Sequence, residues 1–186
     1  MTTVAVFGGS FNPPHIAHVL AATYVSSLGM CDKLLVAPVF AHAFDKELAP
    51  FEQRLEMCKR AMGFIPGVEI SDIESTLAPP SFTLHTLRAL RRAHPNWRLR
   101  LVVGADVLGD SHKWHAFDQV QALAPLLVLG RVGYARPDAP DPVLPDVSSS
   151  RIRELLRLNT HAAQAELAKL LPRAVRESIQ AWQLYT

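Results

Sequence analysis

The sequence is poor in cysteine and has no long apolar run, and both absences narrow the classes of protein it can encode. Cys31 and Cys58 are its only cysteines, too few for a disulfide framework or a four-thiolate metal site. No apolar stretch approaches the roughly 20 residues that a membrane-spanning helix needs. The first residues, MTTVAVFGGS, show no basic region followed by an apolar segment, as a signal peptide would. We therefore expect a cytoplasmic protein that does not bind membranes.

Charge is also nearly balanced, which gives no support for a polyanionic partner. The formal net charge is +2, too small to indicate nucleic acid on its own. One basic cluster invites that interpretation, but it has only Trp97 as a nearby aromatic residue, and helical spacing places part of it on a solvated face. We predict no nucleic-acid partner. The cluster consists of Arg88, Arg91, Arg92, Arg98 and Arg100.

What is present is an alternation of short apolar runs with segments of helical periodicity. The runs predict strands at 4–7, 33–39, 68–71, 99–104 and 126–130. The periodic segments predict helices at 16–28, 50–62, 81–94 and 118–124, followed by two or three helices that begin near Ser150. Such alternation indicates an α/β fold, a Rossmann-like doubly wound parallel sheet with a small C-terminal helical extension.

The proline-rich segment RPDAPDPVLPD raises the question of a second domain. Only about 40 residues follow it, too few for an independent core of useful size. We predict a single domain over 1–186, with the helices of about 150–186 packed on it. In doubly wound sheets ligands bind at the carboxyl ends of the strands, which places 8–18, 104–114 and Arg131 along one edge.

The stretch FGGSFNPPHIAH, directly after the first predicted strand, carries more chemistry than a turn requires. Gly8 and Gly9 let the backbone turn sharply and let a ligand approach without a Cβ in the way. The two prolines suit the entrance to a helix, whose first N–H groups and dipole form an anion site. His15 and His18 lie one helical turn apart on the same face. The pattern predicts phosphate binding.

The residues of this stretch alone leave two alternatives open. A plain strand-turn-helix with incidental histidines is one. A zinc site is the second, since His112 and His115 form a further HxxH pair that could supply ligands. The pattern matches neither GxGxxG nor GxxxxGK[ST], so the common dinucleotide and P-loop fingerprints are absent.

Four segments together resemble a known family. GGSFNPPHIAH resembles the GxFxPxHxxH signature of HxGH-type nucleotidyltransferases, and its Phe-Asn-Pro-Pro-His version is similar to nicotinate-nucleotide adenylyltransferases. PPSFTLHTL is similar to that family's Pro-Ser-Tyr-Thr segment, with Phe82 in place of tyrosine. GADVLGDSHKW and VSSSRIREL are similar to two further family segments, the latter with Ser150 where threonine is usual. The four occur in the family's order between Val4 and about Leu155.

The resemblance implies a set of site residues. It implies catalytic roles for His15, His18 and Arg153. It implies an ATP site formed by Gly8, Gly9, Ser10, Phe11, His15, His18, Gly104, Asp106, Ser148, Ser149, Ser150 and Arg153, and a mononucleotide site formed by Ser81, Thr83, Trp114, Lys46 and Arg131.

Several of these residues have a simpler alternative role. The serines would cap a helix, Asp106 would cap a turn, and Trp114 would be a core aromatic residue. Arg131 and Lys46 would be surface charges. At Lys46 the match is loosest, because the family commonly has Pro-His-Lys there.

The implied reaction transfers AMP from ATP to nicotinate mononucleotide and releases pyrophosphate, a step of NAD biosynthesis. Mg²⁺ would be bound mainly by ATP phosphates, with no metal ligands from the protein. Nicotinamide mononucleotide or phosphopantetheine as acceptor, or a silent nucleotide-binding protein, remain alternatives, and a homo-oligomer is compatible with the sequence. Ordinary histidine pKa values near 6.5 predict some pH dependence of activity.

Overall fold

In this computed structural model, the chain is described over residues 1–41, 47–109, 111–134, 140–142 and 144–185. Within those ranges the strands are β1 (Thr2–Gly9), β2 (Lys33–Pro38), β3 (Val68–Ile70), β4 (Trp97–Gly104) and β5 (Leu126–Leu129). The helices are α1 (Ile16–Ser27), α2 (Phe51–Met62), α3 (Thr83–Ala93), α4 (Ala105–Gly109), α5 (Phe117–Leu123), α6 (Ser149–Leu158), α7 (His161–Leu170) and α8 (Arg173–Ala181). None of the helices in the described ranges is long and apolar enough to cross a membrane.

The strands form one parallel sheet in the order β3-β2-β1-β4-β5. The chain first moves outward from β1 to β3 and then crosses to β4 on the other side of β1, so the strand order reverses between β1 and β4. At such a switch point the loops after two neighbouring strands diverge and leave a crevice at the carboxyl edge. The predicted Rossmann-like α/β class is confirmed.

Alternating side chains of the sheet enter two hydrophobic clusters, one on each face. Val4 and Val6 of β1 face the cluster covered by α3 and α5, which also holds Leu87 and Val120. Ala5, between them, faces the opposite cluster, as the two-residue period of a strand requires. That second cluster includes buried residues from α1, α2 and all three C-terminal helices: Val25, Met57, Ile152, Leu167 and Val175. The C-terminal helices therefore share one hydrophobic cluster with the sheet, α1 and α2.

The predicted elements are all present, with shifts at their ends. β1 and β4 each begin two residues earlier than their apolar runs, because Thr2–Thr3 and Trp97–Arg98 also pair between these two strands. The helix predicted at 81–94 begins at Thr83, after a segment that lines a cavity. α4 was not predicted, since its five residues are too few to show helical periodicity.

Candidate active site

Two cavities open side by side at the carboxyl edge of β1 and β4. The first, of about 330 Å³, lies towards α3 and Trp114. The second, of about 470 Å³, lies towards α1 and α6. Both are lined by the end of β1, from Phe7 to Ser10, and by Gly104 at the end of β4. A Cβ on Gly8 would meet nothing within 4 Å, so this shared wall is backbone that a ligand can approach closely.

The loop after β1 turns sharply over a buried ring. Phe11 is 1% exposed and adopts a positive φ of 44°, a conformation that L-residues adopt only where the surroundings hold it. Its ring lies so close to Gly9 that a Cβ there would be 3.2 Å from Cζ. The ring also packs edge-on against Phe7 and His18, with centroid distances of 5.4 and 4.9 Å. Gly9 therefore allows the Phe11 ring to pack closely against the loop, and Phe11 supports one imidazole.

His15 and His18 lie at the start of α1 and line the second cavity. They lie on the same side, as predicted, and their rings are also stacked, with centroids 3.7 Å apart. The backbone N–H of His15 donates to Nδ1 of His18 at 3.1 Å. Because Nδ1 accepts this hydrogen bond, a neutral His18 carries its proton on Nε2. His18 therefore offers an Nε2–H donor.

Both imidazoles are neutral at physiological pH in the free protein. Burial lowers the pKa of His15 to about 3, and the guanidinium of Arg131 acts in the same direction. Burial also holds the pKa of His18 well below its ordinary value, with further lowering by His15 and Arg131. The expectation of ordinary values near 6.5 is therefore wrong for the free protein, because the spacing did not reveal that the rings are stacked and enclosed.

These lowered pKa values predict that the protein loses stability in mild acid. Below pH 6.5 the unfolded chain takes up protons on both histidines while the folded chain does not, so protonation favours unfolding. The free energy of unfolding should fall by up to about 1.4 kcal/mol per pH unit for His15 from pH 6.5 down towards its lowered pKa of about 3, and His18 adds to this loss below pH 6.5. Urea unfolding at pH 7 and 5.5 should show a loss about 2 kcal/mol larger in the wild type than in a His15→Gln/His18→Gln variant. Equal losses would contradict the neutral pair.

The helix α6 docks on the loop after β1 through its first turn. Ser148 caps the helix, its hydroxyl accepting from the Arg151 N–H at 3.2 Å. The Ser149 hydroxyl donates to the Pro13 carbonyl at 2.9 Å. Arg153 donates from Nη1 to the Asn12 carbonyl at 2.8 Å and from Nη2 to the Ser150 hydroxyl at 3.3 Å. The simple capping role is thus present, and the same turn lines the second cavity with Arg153.

Asp106 and Arg131 form an ion pair on the opposite wall of the second cavity. Arg131 Nη1 lies 2.9 Å from Asp106 Oδ2. A Cβ on Gly104 would lie 2.3 Å from Asp106 Oδ1, so this carboxylate folds back over the end of β4. Arg131 was predicted on the mononucleotide side, but the structure places it in the second cavity. The strand pairing explains this position, because Gly104 of β4 pairs with Leu129 of β5 and Asp106 and Arg131 each come two residues later.

The first cavity contains the other residues predicted for the mononucleotide. Ser81, Thr83 and Trp114 all line it. The Ser81 hydroxyl accepts from the Ala41 N–H at 3.1 Å, which ties the loop after β2 to the start of α3. Trp114 packs edge-on against Phe117 at 5.7 Å, so it both contacts the core and borders the cavity. Lys46 lies outside the described residues.

Glu74 is a residue of this cavity that no sequence pattern indicated. It is 5% exposed and lines the first cavity, where Oε1 accepts a hydrogen bond from the Thr86 hydroxyl. Its Oε2 is buried and has no hydrogen-bond partner within the described part of the chain. A buried acceptor of this kind favours a ligand that brings a hydroxyl or amide donor. The segment around Glu74 has no clear periodic pattern, so the sequence provides no basis for placing this side chain in the cavity.

Across the described ranges, no three His, Cys, Asp or Glu side chains are grouped so that they could hold a metal ion. The two HxxH pairs therefore do not combine into a zinc site there. His115 instead packs against the rings of Phe82 and His85, at 4.7 and 6.0 Å.

The chain is similar to known proteins along most of its length. Residues 6–155 match the model of the family described as Cytidylyltransferase-like. A relative from Anaeromyxobacter dehalogenans (strain 2CP-C), named "Probable nicotinate-nucleotide adenylyltransferase", is 42% identical over 98% of this chain and 96% of its own. A relative of the same name from Thermus thermophilus is 32% identical over 98% of each chain.

The fold has a close structural counterpart as well. A solved structure titled as Plasmodium falciparum nicotinic acid mononucleotide adenylyltransferase complexed with NaAD superposes with a TM-score of 0.85, over 100% of this chain and 98% of that one, at 20% identity. Because relatives that are 42% and 32% identical match this chain over nearly its whole length, the chain belongs to the nicotinate-nucleotide adenylyltransferase family.

Proposed function

We propose that the protein transfers AMP from ATP to the phosphate of nicotinate mononucleotide, giving nicotinate adenine dinucleotide and pyrophosphate. The observation that carries the proposal is that the two cavities share the backbone wall from Phe7 to Ser10. A nucleotide in each cavity would bring an acceptor phosphate and the α-phosphate of ATP to that wall. The names of the two full-length relatives support the same activity.

The residues of the second cavity suit the charge that develops during this reaction. The attacking group is already an anionic oxygen, so no protein nucleophile or general base is needed. The site has to align two polyanions and stabilise charge on the departing pyrophosphate, which is positioning and electrostatics. We assign hydrogen-bond donation to His18 Nε2–H, to Arg153 and to the N–H groups at the start of α1 and α6. Gly8, Gly9, Ser10, Phe11 and the three serines would line the ATP.

Mg²⁺ fits the role of an ion that arrives with ATP. Magnesium commonly keeps several waters and binds substrate phosphates through few protein ligands. Its charge would add to that of Arg153 at the phosphates. Asp106 is paired with Arg131, so we propose that it orients the wall of the ATP cavity rather than holding the ion.

The start of α3 favours nicotinate over nicotinamide in the first cavity. Helix N-termini bind carboxylates through their free N–H groups and dipole. Phe82 is the residue before α3, and its side chain accepts no hydrogen bond from the first N–H groups of the helix. Phe82 and Thr83 both line the cavity. A ring carboxylate directed at this turn would find donors there. One observation favours the second candidate, nicotinamide mononucleotide, because Glu74 Oε2 could accept from an amide.

Pyrophosphate release tests the proposal. ATP and Mg²⁺ should be combined in parallel with nicotinate mononucleotide, nicotinamide mononucleotide and phosphopantetheine. A large preference for nicotinate mononucleotide is expected. A preference for nicotinamide mononucleotide would select the second candidate, and no release with any acceptor would contradict adenylyl transfer to these compounds.

Trp114→Ala should selectively weaken binding of the mononucleotide. Stacking of a ring on an aromatic side chain is worth about 1–3 kcal/mol, so the KM for nicotinate mononucleotide should rise by roughly 5- to 100-fold. The KM for ATP should change little, because Trp114 lines only the first cavity. Trp114→Phe should recover part of the loss. Equal increases in both KM values, or none, would contradict a stacking role.

A further inference from the structure

A buried arginine that lines neither cavity contacts the loop after β1. Arg54 on α2 is 1% exposed and lines neither cavity. Its guanidinium donates to the carbonyl of Ser10 at 2.9 Å and to the carbonyl of Ala49 at 2.8 Å, with a longer contact of 3.5 Å to the carbonyl of Phe40. One side chain therefore connects the loop after β1 with the segments that lead into α2.

Asn12, in the same loop, is held from further directions. Its side chain is buried and Oδ1 accepts from the Tyr185 hydroxyl at 2.8 Å and from the Ala49 N–H at 3.1 Å. Its Nδ2 donates to the Glu47 carbonyl at 3.2 Å. Tyr185 is 173 positions away in sequence and also lines neither of the two cavities. The C-terminal segment is thus tied directly to the loop.

These contacts set the direction of a peptide group beside the ATP cavity. In a trans peptide the C=O and the following N–H point in opposite directions. Because the Ser10 carbonyl is held towards Arg54, the N–H of Phe11 is turned away from α2, and both Ser10 and Phe11 line the second cavity. The positive φ of Phe11 is a conformation that needs such external support.

We propose that Arg54 and Tyr185 are positioning residues for the ATP phosphates. They contact no substrate, and they hold the Ser10–Phe11–Asn12 backbone so that its N–H groups face the phosphate chain. The proposal rests on the assignment of the second cavity to ATP. Arginine suits this role because its planar guanidinium presents several donors in a fixed fork, whereas lysine is a point charge on a flexible stem.

Binding of a non-hydrolysable ATP analogue to the full chain tests the proposal by calorimetry. In Arg54→Lys the loop is no longer held in place, and we expect the phosphates of the analogue to lose at least one hydrogen bond from its N–H groups. Loss of one hydrogen bond to a charged oxygen lowers affinity roughly 10- to 100-fold, so the Kd should rise by at least about tenfold. The matched control is Arg60→Lys on the same helix, where Arg60 is exposed and paired with Glu56 at 2.8 Å. Steady-state kinetics should show the KM for ATP raised and that for nicotinate mononucleotide little changed.

Tyr185→Phe provides a second variant that removes a single hydroxyl, with Tyr24→Phe on α1 as its control. One neutral hydrogen bond corresponds to roughly 2- to 12-fold, and we expect an increase in Kd of that size only for Tyr185→Phe. If Arg54→Lys does not fold, the Kd of Tyr185→Phe tests the proposal in its place. Analogue affinities equal to those of the controls, even with reduced stability towards urea, would overturn the proposal. The ATP analogue binds without the acceptor nucleotide. The binding test can therefore be interpreted even if the protein does not turn over nicotinate mononucleotide.

Discussion

Replacing His18 by alanine is expected to lower the turnover number by a factor of about 10²–10³, as loss of one preorganised donor to a developing negative charge does. Nδ1 of His18 is occupied by the His15 N–H at 3.1 Å, so the proton of the neutral ring is fixed on Nε2. The lowered pKa means that the donor is a neutral N–H in the free protein. The fold should survive, because His18 is partly buried at a cavity wall. Steady-state kinetics with saturating substrates measures the effect.

Two further variants show whether the lost donor is responsible. His18→Asn keeps an N–H donor on a shorter side chain and should recover part of the turnover. His94→Ala removes a histidine that stacks on Trp97 at 3.7 Å, at the amino end of β4 and far from the cavities, and should leave the turnover unchanged. Near-normal turnover in His18→Ala would remove this residue from the mechanism.

Replacing Arg153 by methionine is expected to lower kcat/KM for ATP by roughly 10², since hydrogen bonds from a charged donor are worth about 1.5–3 kcal/mol each. Arg153 is the arginine of α6 that lines the second cavity, and it reaches both the Asn12 carbonyl and the Ser150 hydroxyl. Its removal takes charge from the cavity and also loosens the contact between α6 and the loop after β1. The KM for nicotinate mononucleotide should change much less.

The matched control lies one turn further along the same helix. Arg157 is exposed, and Arg157→Met should leave both KM values unchanged. Arg153→Lys should retain part of the affinity for ATP through its charge but not the forked geometry. If Arg153→Met and Arg157→Met behave alike, Arg153 does not contact the triphosphate.

The sheet and the position of the ligand edge could be predicted from the sequence because they depend on local patterns. Apolar runs that end in glycine predicted β1 and β4, and the switch-point rule then placed Gly8 and Gly104 together, as both cavities show. Ser148 and Arg153 could be placed at a helix start from their own segment. Such features need only the residues around them.

Features that depend on tertiary packing could not be predicted in this way. The lowered pKa values of His15 and His18 follow first from burial, to which the Phe11 ring contributes at His18, and then from the charge of Arg131, and the HxxH spacing reveals neither. Arg131 was assigned to the mononucleotide, but the strand order places it beside Asp106. Tyr185 reaches Asn12 from the other end of the chain, without any local signal.

For Arg54, the sequence indicates a special role but not the residues that Arg54 contacts. The apolar face of α2 contains Phe51, Leu55, Cys58 and Met62, and Arg54 lies among these buried residues. A charged residue on the buried face of an amphipathic helix is rarely left without partners. The sequence therefore carried a signal that Arg54 has a specific role, although only the structure shows that Ser10 and Ala49 are its partners.

The central claim is that this site joins two nucleotides by direct attack of one phosphate on the other, without a covalent bond to the protein. The stereochemistry at the α-phosphorus tests it most directly, using ATP that carries a chiral thiophosphate at that position together with nicotinate mononucleotide. A single in-line displacement predicts inverted configuration in the dinucleotide product. Retention would indicate two displacements through an adenylylated side chain, with His15 or His18 as the nucleophile, and would contradict the account.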